Sequence, residues 1–240
     1  TKQGDISAIQ YADGREVKLS YNPLRQLTEV QDWLGVTKIT PDALGRARKV
    51  TYPDGKEVSY TYGKSGERTS ITYPDGRTVY YGYDGQVRLS ELREGDSVIT
   101  YGYDPYGRLQ EKQFPNGTKT SYSYDAKDQL TELIHRDQEG ILDRYTYLYD
   151  LTGNKTGITK ERRGLSEESG AYTYGYDALG RLSEIRKDGQ MQTRYGYDAF
   201  GNRVSKDEGT GHTLYRHNAL NQLVAEIREG KDPVNKSFSY

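Results

Sequence analysis

The chain has 240 residues, with 34 lysines and arginines against 35 aspartates and glutamates. This near balance argues against broad nucleic-acid binding, because such binding needs a net basic surface that displaces counterions from phosphate. Cysteine is absent, which excludes disulfides and thiolate metal sites, and no apolar run approaches the roughly 18 residues of a membrane span.

Composition alone would suggest disorder, since only 33% of the residues are apolar and the mean hydropathy is −0.97. The 24 tyrosines indicate the opposite. Tyrosine suits the pleated, half-buried surface of a β-strand, where its ring packs and its hydroxyl reaches water or a partner. The sequence therefore predicts a folded, all-β protein in which tyrosine replaces much of the usual aliphatic core.

A repeat of about 21 residues runs through the chain. Its clearest copies are Tyr-Gly-Tyr-Asp-Pro-Tyr-Gly-Arg-Leu (101–109), Tyr-Gly-Tyr-Asp-Ala-Leu-Gly-Arg-Leu (174–182) and Tyr-Gly-Tyr-Asp-Ala-Phe-Gly-Asn-Arg (195–203). We call the second tyrosine of each copy the anchor. The anchors are Tyr21, Tyr62, Tyr83, Tyr103, Tyr124, Tyr149, Tyr176 and Tyr197, and Pro41 and His217 occupy the same position in two degenerate copies. Successive intervals are 20, 21, 21, 20, 21, 25, 27, 21 and 20 residues, so the sequence predicts about ten repeats in one array over residues 1–240.

One turn signal in each repeat is Pro-Asp-Gly or a relative. It lies at residues 12–14, 53–55, 74–76, 115–117 and 187–189. Asp-Gly and Asn-Gly supply the positive φ angles of tight hairpin turns, and a preceding proline presets the entry. These tripeptides therefore predict the turn at one end of each hairpin.

The other turn signal, Asp-x-x-Gly-Arg, directly follows the anchor. It suits a type I turn followed by a left-handed glycine, with the aspartate capping the turn's own N–H groups. The aspartates are Asp42, Asp84, Asp104, Asp125, Asp150, Asp177 and Asp198, and later turn residues include Gly107, Gly153, Gly180, Arg181 and Gly201. Calcium sites gather several carboxylates in one loop, whereas these come singly, so we interpret them as caps. Each repeat is then two short strands joined by two different turns.

The strand that enters the anchor alternates in polarity. Val58, Tyr60 and Tyr62 share one face, and Ser59 and Thr61 share the other. A period of two that recurs in many copies indicates β-strands with one apolar face. Stacked hairpins are expected to align equivalent tyrosines in rows, where aromatic pairs across neighbouring strands stabilise the sheet.

Two details of the strands carry further predictions. A glycine often separates the two tyrosines, at positions 82, 102, 175 and 196; because glycine weakens a strand unless something approaches closely, we expect a neighbouring side chain to lie across it. The returning strand reads Leu-x-Glu-Leu or Leu-x-Glu-Ile at 130–133 and 182–185. Apolar residues three apart share a face only if that strand contains a bulge.

Three features depart from the regular pattern. The long intervals mark insertions near 137–140 and 160–170. The second is highly charged and is expected to project as a longer hairpin loop. We interpret it as a solvated insertion, with contact to a partner or to another part of the folded array as the alternative. Trp33 is the only tryptophan, and near a turn it is expected to pack rather than to bind a ligand.

The sequence contains no recognisable catalytic, cofactor or metal site. His135, His212 and His217 lack the spacing of metal ligands or of a catalytic triad. No serine lies in a Gly-x-Ser-x-Gly elbow, and no phosphate-binding glycine loop follows a strand and opens a helix. We therefore expect a protein that is not an enzyme and that uses no cofactor.

The Tyr-Asp-x-x-Gly-Arg-Leu units resemble the YD repeats of the RHS family, which includes bacterial Rhs and wall-associated polymorphic toxins, cocoon components of Tc toxins, and teneurins. The resemblance covers about residues 6 to 240. It implies tandem antiparallel hairpins in one continuous curved or spiralling sheet that forms part of a hollow shell. It further implies a secreted or surface-exposed wall whose partners are flanking repeats and an enclosed C-terminal effector domain.

One difference from bacterial members of that family concerns self-cleavage. Their shells often end in a core segment with aspartates that cut the chain, whereas Asp104–Gly107 here lies inside an ordinary repeat. Self-cleavage is therefore not predicted for this segment. The chain also opens within a hairpin and ends where the next anchor's aspartate is due, which suggests an array truncated at both ends.

A binding module is the alternative function. Choline-binding and clostridial toxin repeats are also about 20 residues long, aromatic and hairpin-based, but they favour tryptophan or paired aromatics and lack the Asp-x-x-Gly-Arg turn. Exposed tyrosine faces could still bind cell-surface glycans. Encapsulation therefore ranks first and carbohydrate or cell-surface binding second.

Overall fold

The computed structural model of the chain describes residues 4–209, 211–230 and 233–239. These residues form antiparallel strands joined by short turns, with one 3₁₀ turn at Ser166–Glu168. The all-β class and the tandem hairpin arrangement are thus confirmed. Across the same ranges, no helix has the length and apolar character needed to cross a lipid bilayer.

The chain divides into two compact units, one ending at Asn116 and the other beginning at Gly117. In the first unit each strand pairs with the next along the chain. Its strands are β1 Ala8–Gln10, β2 Glu16–Tyr21, β3 Leu27–Asp32, β4 Gly35–Pro41, β5 Ala47–Thr51, β6 Glu57–Tyr62, β7 Arg68–Thr72, β8 Thr78–Tyr83, β9 Leu89–Glu94, β10 Ser97–Tyr103 and β11 Leu109–Gln113.

The second unit has the same sequential antiparallel pairing. Its strands are β12 Lys119–Tyr124, β13 Leu130–Asp137, β14 Gly140–Tyr149, β15 Lys155–Arg162, β16 Gly170–Tyr176, β17 Leu182–Lys187, β18 Gln190–Tyr197, β19 Arg203–Asp207, β20 Gly211–His217, β21 Leu223–Gly230 and β22 Val234–Ser237. Within either unit, successive turns of one kind therefore lie along one edge, and the other kind lies along the opposite edge.

The bulge predicted in the returning strand is present. In the pair of β16 and β17, Tyr176 faces Leu182 while Gly175 faces Glu184, so Ser183 is an extra residue. The same shift occurs at every anchor position, including Pro41 and His217. The extra residue brings Leu182 and Ile185 onto one face of the sheet.

The side chain expected across each strand glycine is also present. A Cβ atom added to Gly82 would lie 3.0 Å from Cβ of Glu91, and one added to Gly175 would lie 2.6 Å from Cγ of Glu184. The glutamate of the Leu-x-Glu motif therefore occupies the space that the glycine leaves open. Gly196 is covered in the same way by Ser205.

The prediction that tyrosines pair across neighbouring strands is wrong. Tyr60 faces Ile71, Tyr81 faces Leu92 and Tyr174 faces Ile185. Equivalent tyrosines of successive hairpins lie two strands apart, which is about 9.6 Å. The intervening strand therefore supplies the residue that each tyrosine meets.

Little of this fold is deeply buried. Among the described residues the buried hydrophobic side chains are Val58, Ile71 and Ile134, which keep 8%, 9% and 5% of their surface exposed. Val58 and Ile71 lie on the tyrosine face. The tyrosine rings between them stay partly exposed, so the tyrosine-for-aliphatic core predicted from composition is only half-buried. Stability must therefore accumulate through contacts between neighbouring repeats.

The Pro-Asp-Gly turns have the same backbone conformation as the Asp-x-x-Gly turns. Gly55 has φ of +80°, its N–H donates to the Tyr52 carbonyl at 2.9 Å, and the Tyr52 N–H donates to the Lys56 carbonyl at 2.9 Å. Pro53 has a φ that suits the first central residue of a type I turn. The expectation of two different turns is thus wrong for the backbone; what differs is the position of the aspartate.

Among the described tripeptides of this class, 187–189 is the one in which aspartate and glycine both take positive φ, at +50° for Asp188 and +80° for Gly189. Lys187 faces Gln190 across it. It is therefore the two-residue turn that Asp-Gly favours.

The two insertions are accommodated differently. Asp137 faces Gly140 across a two-residue turn, so the first insertion lengthens β13 and β14 instead of forming a loop. The second continues β15 to Arg162 and then forms a loop with the 3₁₀ turn. Arg163 of that loop pairs with Asp137 and Glu139, so the loop is tied to the tip of the neighbouring hairpin.

Trp33 packs against neighbouring side chains, as expected, but it is not buried. Its side chain lies at the turn between β3 and β4 and is 52% exposed. The Arg15 guanidinium lies 4.4 Å from its ring centre, and Tyr11 meets it edge-on at 6.0 Å.

Candidate functional site: the joint between repeats

Each Asp-x-x-Gly turn is closed by its own aspartate. Oδ1 of Asp177 accepts hydrogen bonds from the backbone N–H of Leu179 at 3.0 Å and of Arg181 at 2.9 Å. Gly180 takes φ of +75° and donates its N–H to the Asp177 carbonyl at 2.9 Å. The carboxylate therefore supplies the hydrogen-bond acceptor for backbone N–H groups of the tight turn.

The same cap recurs along both units. Oδ1 of Asp42, Asp84, Asp104, Asp125, Asp150 and Asp198 accepts from the backbone N–H groups two and four residues later. Asn22 and Asn218 do likewise with their side-chain carbonyl oxygens. The aspartate motif did not predict these two asparagine caps, although each asparagine directly follows an anchor position.

The arginine that ends the turn links two repeats. Nε of Arg181 donates to Oδ2 of Asp177 at 2.7 Å, its guanidinium lies 4.6 Å from the ring centre of Tyr197, and Nη1 donates to the Asp198 carbonyl at 3.1 Å. Tyr197 is the anchor of the next repeat. Charge–quadrupole attraction between the guanidinium and the ring therefore acts between repeats.

Two joints of the first unit show the same stack. Arg46 lies 4.5 Å from the ring centre of Tyr62 and Arg88 lies 4.4 Å from that of Tyr103. Both arginines also pair with the aspartate of their own turn at 2.7 Å. The pairing holds each guanidinium in place over the neighbouring ring.

The anchor hydroxyl completes the link. The Tyr197 hydroxyl donates to the Leu182 carbonyl at 2.8 Å, and Leu182 is the residue that faces the previous anchor, Tyr176. Equivalent bonds run from Tyr62 to Ala47, Tyr83 to Arg68, Tyr103 to Leu89, Tyr149 to Leu130 and Tyr176 to Lys155, at 2.7–2.9 Å. Tyr124 holds the same register position, opposite Leu130. We call this set of turn aspartate, turn arginine, anchor ring and anchor hydroxyl the joint.

Hydrogen bonds lower the pKa of Asp84, Asp150 and Asp177. The backbone N–H groups of Arg88 and Arg181 are the main cause for Asp84 and Asp177. The Thr152 hydroxyl is the main cause for Asp150, whose pKa falls to about 2. Burial has the opposite effect on several anchors, since it raises the pKa of Tyr83, Tyr149 and Tyr176. At neutral pH these three carboxylates are therefore ionised and these three phenols are protonated.

The joint offers hydrogen bonds and ring contacts. In the ranges that the structure describes, no three histidines, aspartates or glutamates lie close enough to hold a metal ion. His135 contacts the Thr120 hydroxyl at 2.9 Å and the edge of Tyr145. The geometry supports a structural site: the anchor hydroxyl bond recurs along both units, and the arginine stack lies at Tyr62, Tyr103 and Tyr197.

Comparison with known proteins agrees with this architecture. Residues 42–78 and 103–139 match the RHS Repeat family model. A crystal structure of TcdB2-TccC3-TEV superposes on 96% of the chain with a TM-score of 0.68 and 16% identity. TcdB2-TccC3 without its hypervariable C-terminal region superposes on 95% of the chain with a TM-score of 0.61 and 14% identity. A Tc holotoxin pore from Photorhabdus luminescens superposes on 91% of the chain with a TM-score of 0.55 and 14% identity.

The chain spans 14%, 14% and 15% of the length of those three structures, in that order. No curated protein sequence matches it significantly. At these identities the likeness shows the fold alone.

The fold and the joint together define a tandem β-hairpin repeat protein whose hairpins are linked through tyrosine, aspartate and arginine. The two segments 42–78 and 103–139 are similar to RHS repeats, the family whose motif the sequence resembles.

Proposed function

We propose that residues 1–240 form one repeat array that serves as a wall segment of a β-shell, enclosing a C-terminal toxin or effector domain of a larger secreted or surface protein. The observation that carries the proposal is the uninterrupted strand pairing in each unit, locked at successive anchors by the joint. Such a sheet presents no gap between neighbouring hairpins through which an unfolded segment could pass.

The wall acts without catalysis. Its strands satisfy their backbone groups with their neighbours, so a polypeptide on one side finds no free strand edge to pair with except at the ends of a unit. Enclosure then protects cargo by excluding proteases and unfolding machinery. The flanking repeats and the cargo are the partners that this function requires.

Glycan binding through the tyrosine face is the second candidate, and its support is the partial exposure of those rings. The joint works against it, because Arg46, Arg88 and Arg181 already lie over the rings of Tyr62, Tyr103 and Tyr197. A sugar ring would have to displace these guanidinium groups. Retention of the chain on immobilised cell-wall glycans would favour glycan binding.

Protease protection in the intact parent protein tests the wall. We expect the C-terminal segment to resist proteinase K when residues 1–240 are present and to be digested when they are deleted. The double variant Tyr103→Ala/Tyr197→Ala removes two joints and should weaken the wall less than the deletion does. Tyr106→Ala is the matched control, because Tyr106 lies in a turn with 83% of its surface exposed.

Resistance that is lost in the deletion, reduced in the double variant and unchanged in the control supports enclosure. Equal digestion of the C-terminal segment in all four proteins would contradict it. Binding of glycans or of another partner would then become the leading account.

A further inference from the structure

The hairpin tips of the first unit carry an exposed aromatic row that takes no part in the joints. Its members are Tyr11, Trp33, Tyr52 and Tyr73, which are between 36% and 52% exposed. Three of them directly precede the Asp-Gly turns, one in each hairpin. Four large aromatic side chains along one edge form the kind of exposed patch that marks a binding surface.

An open groove lies beside this row. Leu34, Tyr52, Pro53 and Pro74 form its apolar lining, with Asp54 and Lys56 at its rim, and its volume is about 550 Å³. Pro53 is held against the neighbouring tip, since a Cβ atom on Gly35 would lie 2.7 Å from Cβ of Pro53. The groove is therefore built from the tips of successive hairpins.

The period of the row matches one backbone conformation of a ligand. Equivalent positions in successive hairpins are two strands apart, about 9.6 Å. A polyproline II helix has three residues per turn and rises about 3.1 Å per residue, so that its turn measures about 9.3 Å. Every third residue of such a segment would meet the same position of successive tips. Aromatic-lined grooves are also the usual receptors for proline-rich segments.

The charges at this edge are internally paired. Asp13 pairs with Arg15, Asp54 with Lys56 and Asp75 with Arg77, each at 2.6 Å. Three of the four tips are therefore electrically neutral, and at the Trp33 tip Oδ1 of Asp32 accepts hydrogen bonds from the backbone N–H groups of Leu34 and Gly35. The neutral tips complement an uncharged occupant with apolar side chains, whose carbonyl groups can face the paired charges at the rim.

Two of the rings are already covered on one face by a guanidinium group. Arg15 lies 4.4 Å from the ring centre of Trp33, and Arg77 lies 5.5 Å from that of Tyr73. Flat stacking of a sugar on those faces is blocked, whereas the slot between neighbouring tips stays open. This difference favours a polypeptide over a glycan.

We propose that the tip edge of the first unit, formed by Tyr11, Trp33, Leu34, Tyr52, Pro53 and Pro74, binds a proline-rich polypeptide segment in the polyproline II conformation. The proposal is independent of enclosure, because the edge would bind such a segment whether or not the sheet encloses cargo.

Trp33 provides a built-in probe, since it is the only tryptophan in the chain. Titration of the 240-residue chain with decaproline should change its fluorescence in a saturable way. A Gly-Ser decapeptide should leave it unchanged. Anisotropy of a labelled decaproline then compares variants: Tyr52→Ala and Leu34→Glu should each weaken binding about tenfold, as expected for loss of a central contact.

Leu34 is exposed, so Leu34→Glu tests the site even if Tyr52→Ala fails to fold. Tyr106→Ala, on the opposite edge, should bind like the unaltered chain. The proposal is overturned if decaproline does not saturate the signal, if the Gly-Ser peptide gives the same response, or if Leu34→Glu binds normally. It is equally overturned if cellohexaose saturates the site and decaproline does not.

Discussion

The anchor turns and the Pro-Asp-Gly tip turns of the first unit have the same backbone hydrogen bonds and different side-chain connections. At the anchor edge, Arg181 pairs with Asp177 and then reaches the ring of Tyr197 in the next repeat. At the tip edge, Lys56 pairs with Asp54 within its own turn. One aspartate therefore belongs to a link between repeats, and the other forms its ion pair inside its own turn.

This difference explains where the chain varies in length. Both long intervals are taken up at the tip edge, by extension of β13 and β14 and by the loop at 163–169. The Asp-x-x-Gly turns keep their four-residue length throughout the described repeats. An added residue at the anchor edge would move the arginine away from the neighbouring ring, whereas an added residue at a tip leaves the link from aspartate through arginine to the anchor ring in place.

The largest effect should come from lengthening an anchor turn. Insertion of Gly-Gly between Ala178 and Leu179 would break the Asp177 cap and displace Arg181 from Tyr197. We expect the melting temperature to fall by about 10 °C, as loss of several coupled contacts would produce in a chain of this size.

The control insertion places Gly-Gly between Leu165 and Ser166 in the long loop. Loop-closure entropy rises slowly with length, so we expect a fall below about 2 °C. Calorimetry of both variants measures the difference. Similar melting temperatures would show that the two edges tolerate length equally.

Removal of one anchor ring should have the next largest effect. Tyr103→Ala loses ring packing, the stack with Arg88 and the hydrogen bond to the Leu89 carbonyl. We expect the free energy of unfolding to fall by about 2–3 kcal/mol. Tyr106→Ala, three residues away and exposed, should change it by less than about 0.5 kcal/mol. Urea denaturation compares them, and equal losses would contradict an anchor role.

These contrasts also show what sequence reasoning could reach. The hairpins, the bulge after Leu182 and the glutamate over Gly175 follow from alternation and spacing within one strand pair, which a repeated pattern displays directly. The acceptor of the Tyr197 hydroxyl is a backbone carbonyl of the previous repeat, and no residue type marks it. The ring neighbours of the tyrosines were misjudged because the period aligns equivalent residues two strands apart, beyond direct contact.

A smaller effect isolates the anchor hydroxyl. Tyr197→Phe keeps the ring under Arg181 and removes only the bond to the Leu182 carbonyl. We expect a loss of about 1 kcal/mol in the free energy of unfolding. Tyr80→Phe is the control, since Tyr80 lies half-exposed and its ring contacts Arg93. If both variants lose the same amount, the hydroxyl contributes nothing specific to the joint.

The smallest effect concerns one titrating carboxylate. The pKa of Asp150 is lowered to about 2, mainly by the Thr152 hydroxyl, while an unfolded aspartate has a pKa near about 3.9. Between these values the unfolded chain binds a proton that the folded chain does not, so stability falls as the pH drops from about 4 towards 2. Above pH 5 this contribution is fully present.

Asp150→Asn should therefore make the free energy of unfolding depend less steeply on pH below about pH 4. The change in slope should correspond to at most about one bound proton. Thr152→Val should flatten it partly, because Asp150 stays ionisable but loses the hydrogen bond that lowers its pKa most. Urea midpoints measured from pH 2 to pH 6 give these slopes. If the curves of both variants ran parallel to that of the unaltered chain, Asp150 would not be ionised within its turn at low pH. At this turn Asn154 stands where other turns have arginine, so the link to the next repeat would then depend on the bond from the Tyr176 hydroxyl to the Lys155 carbonyl.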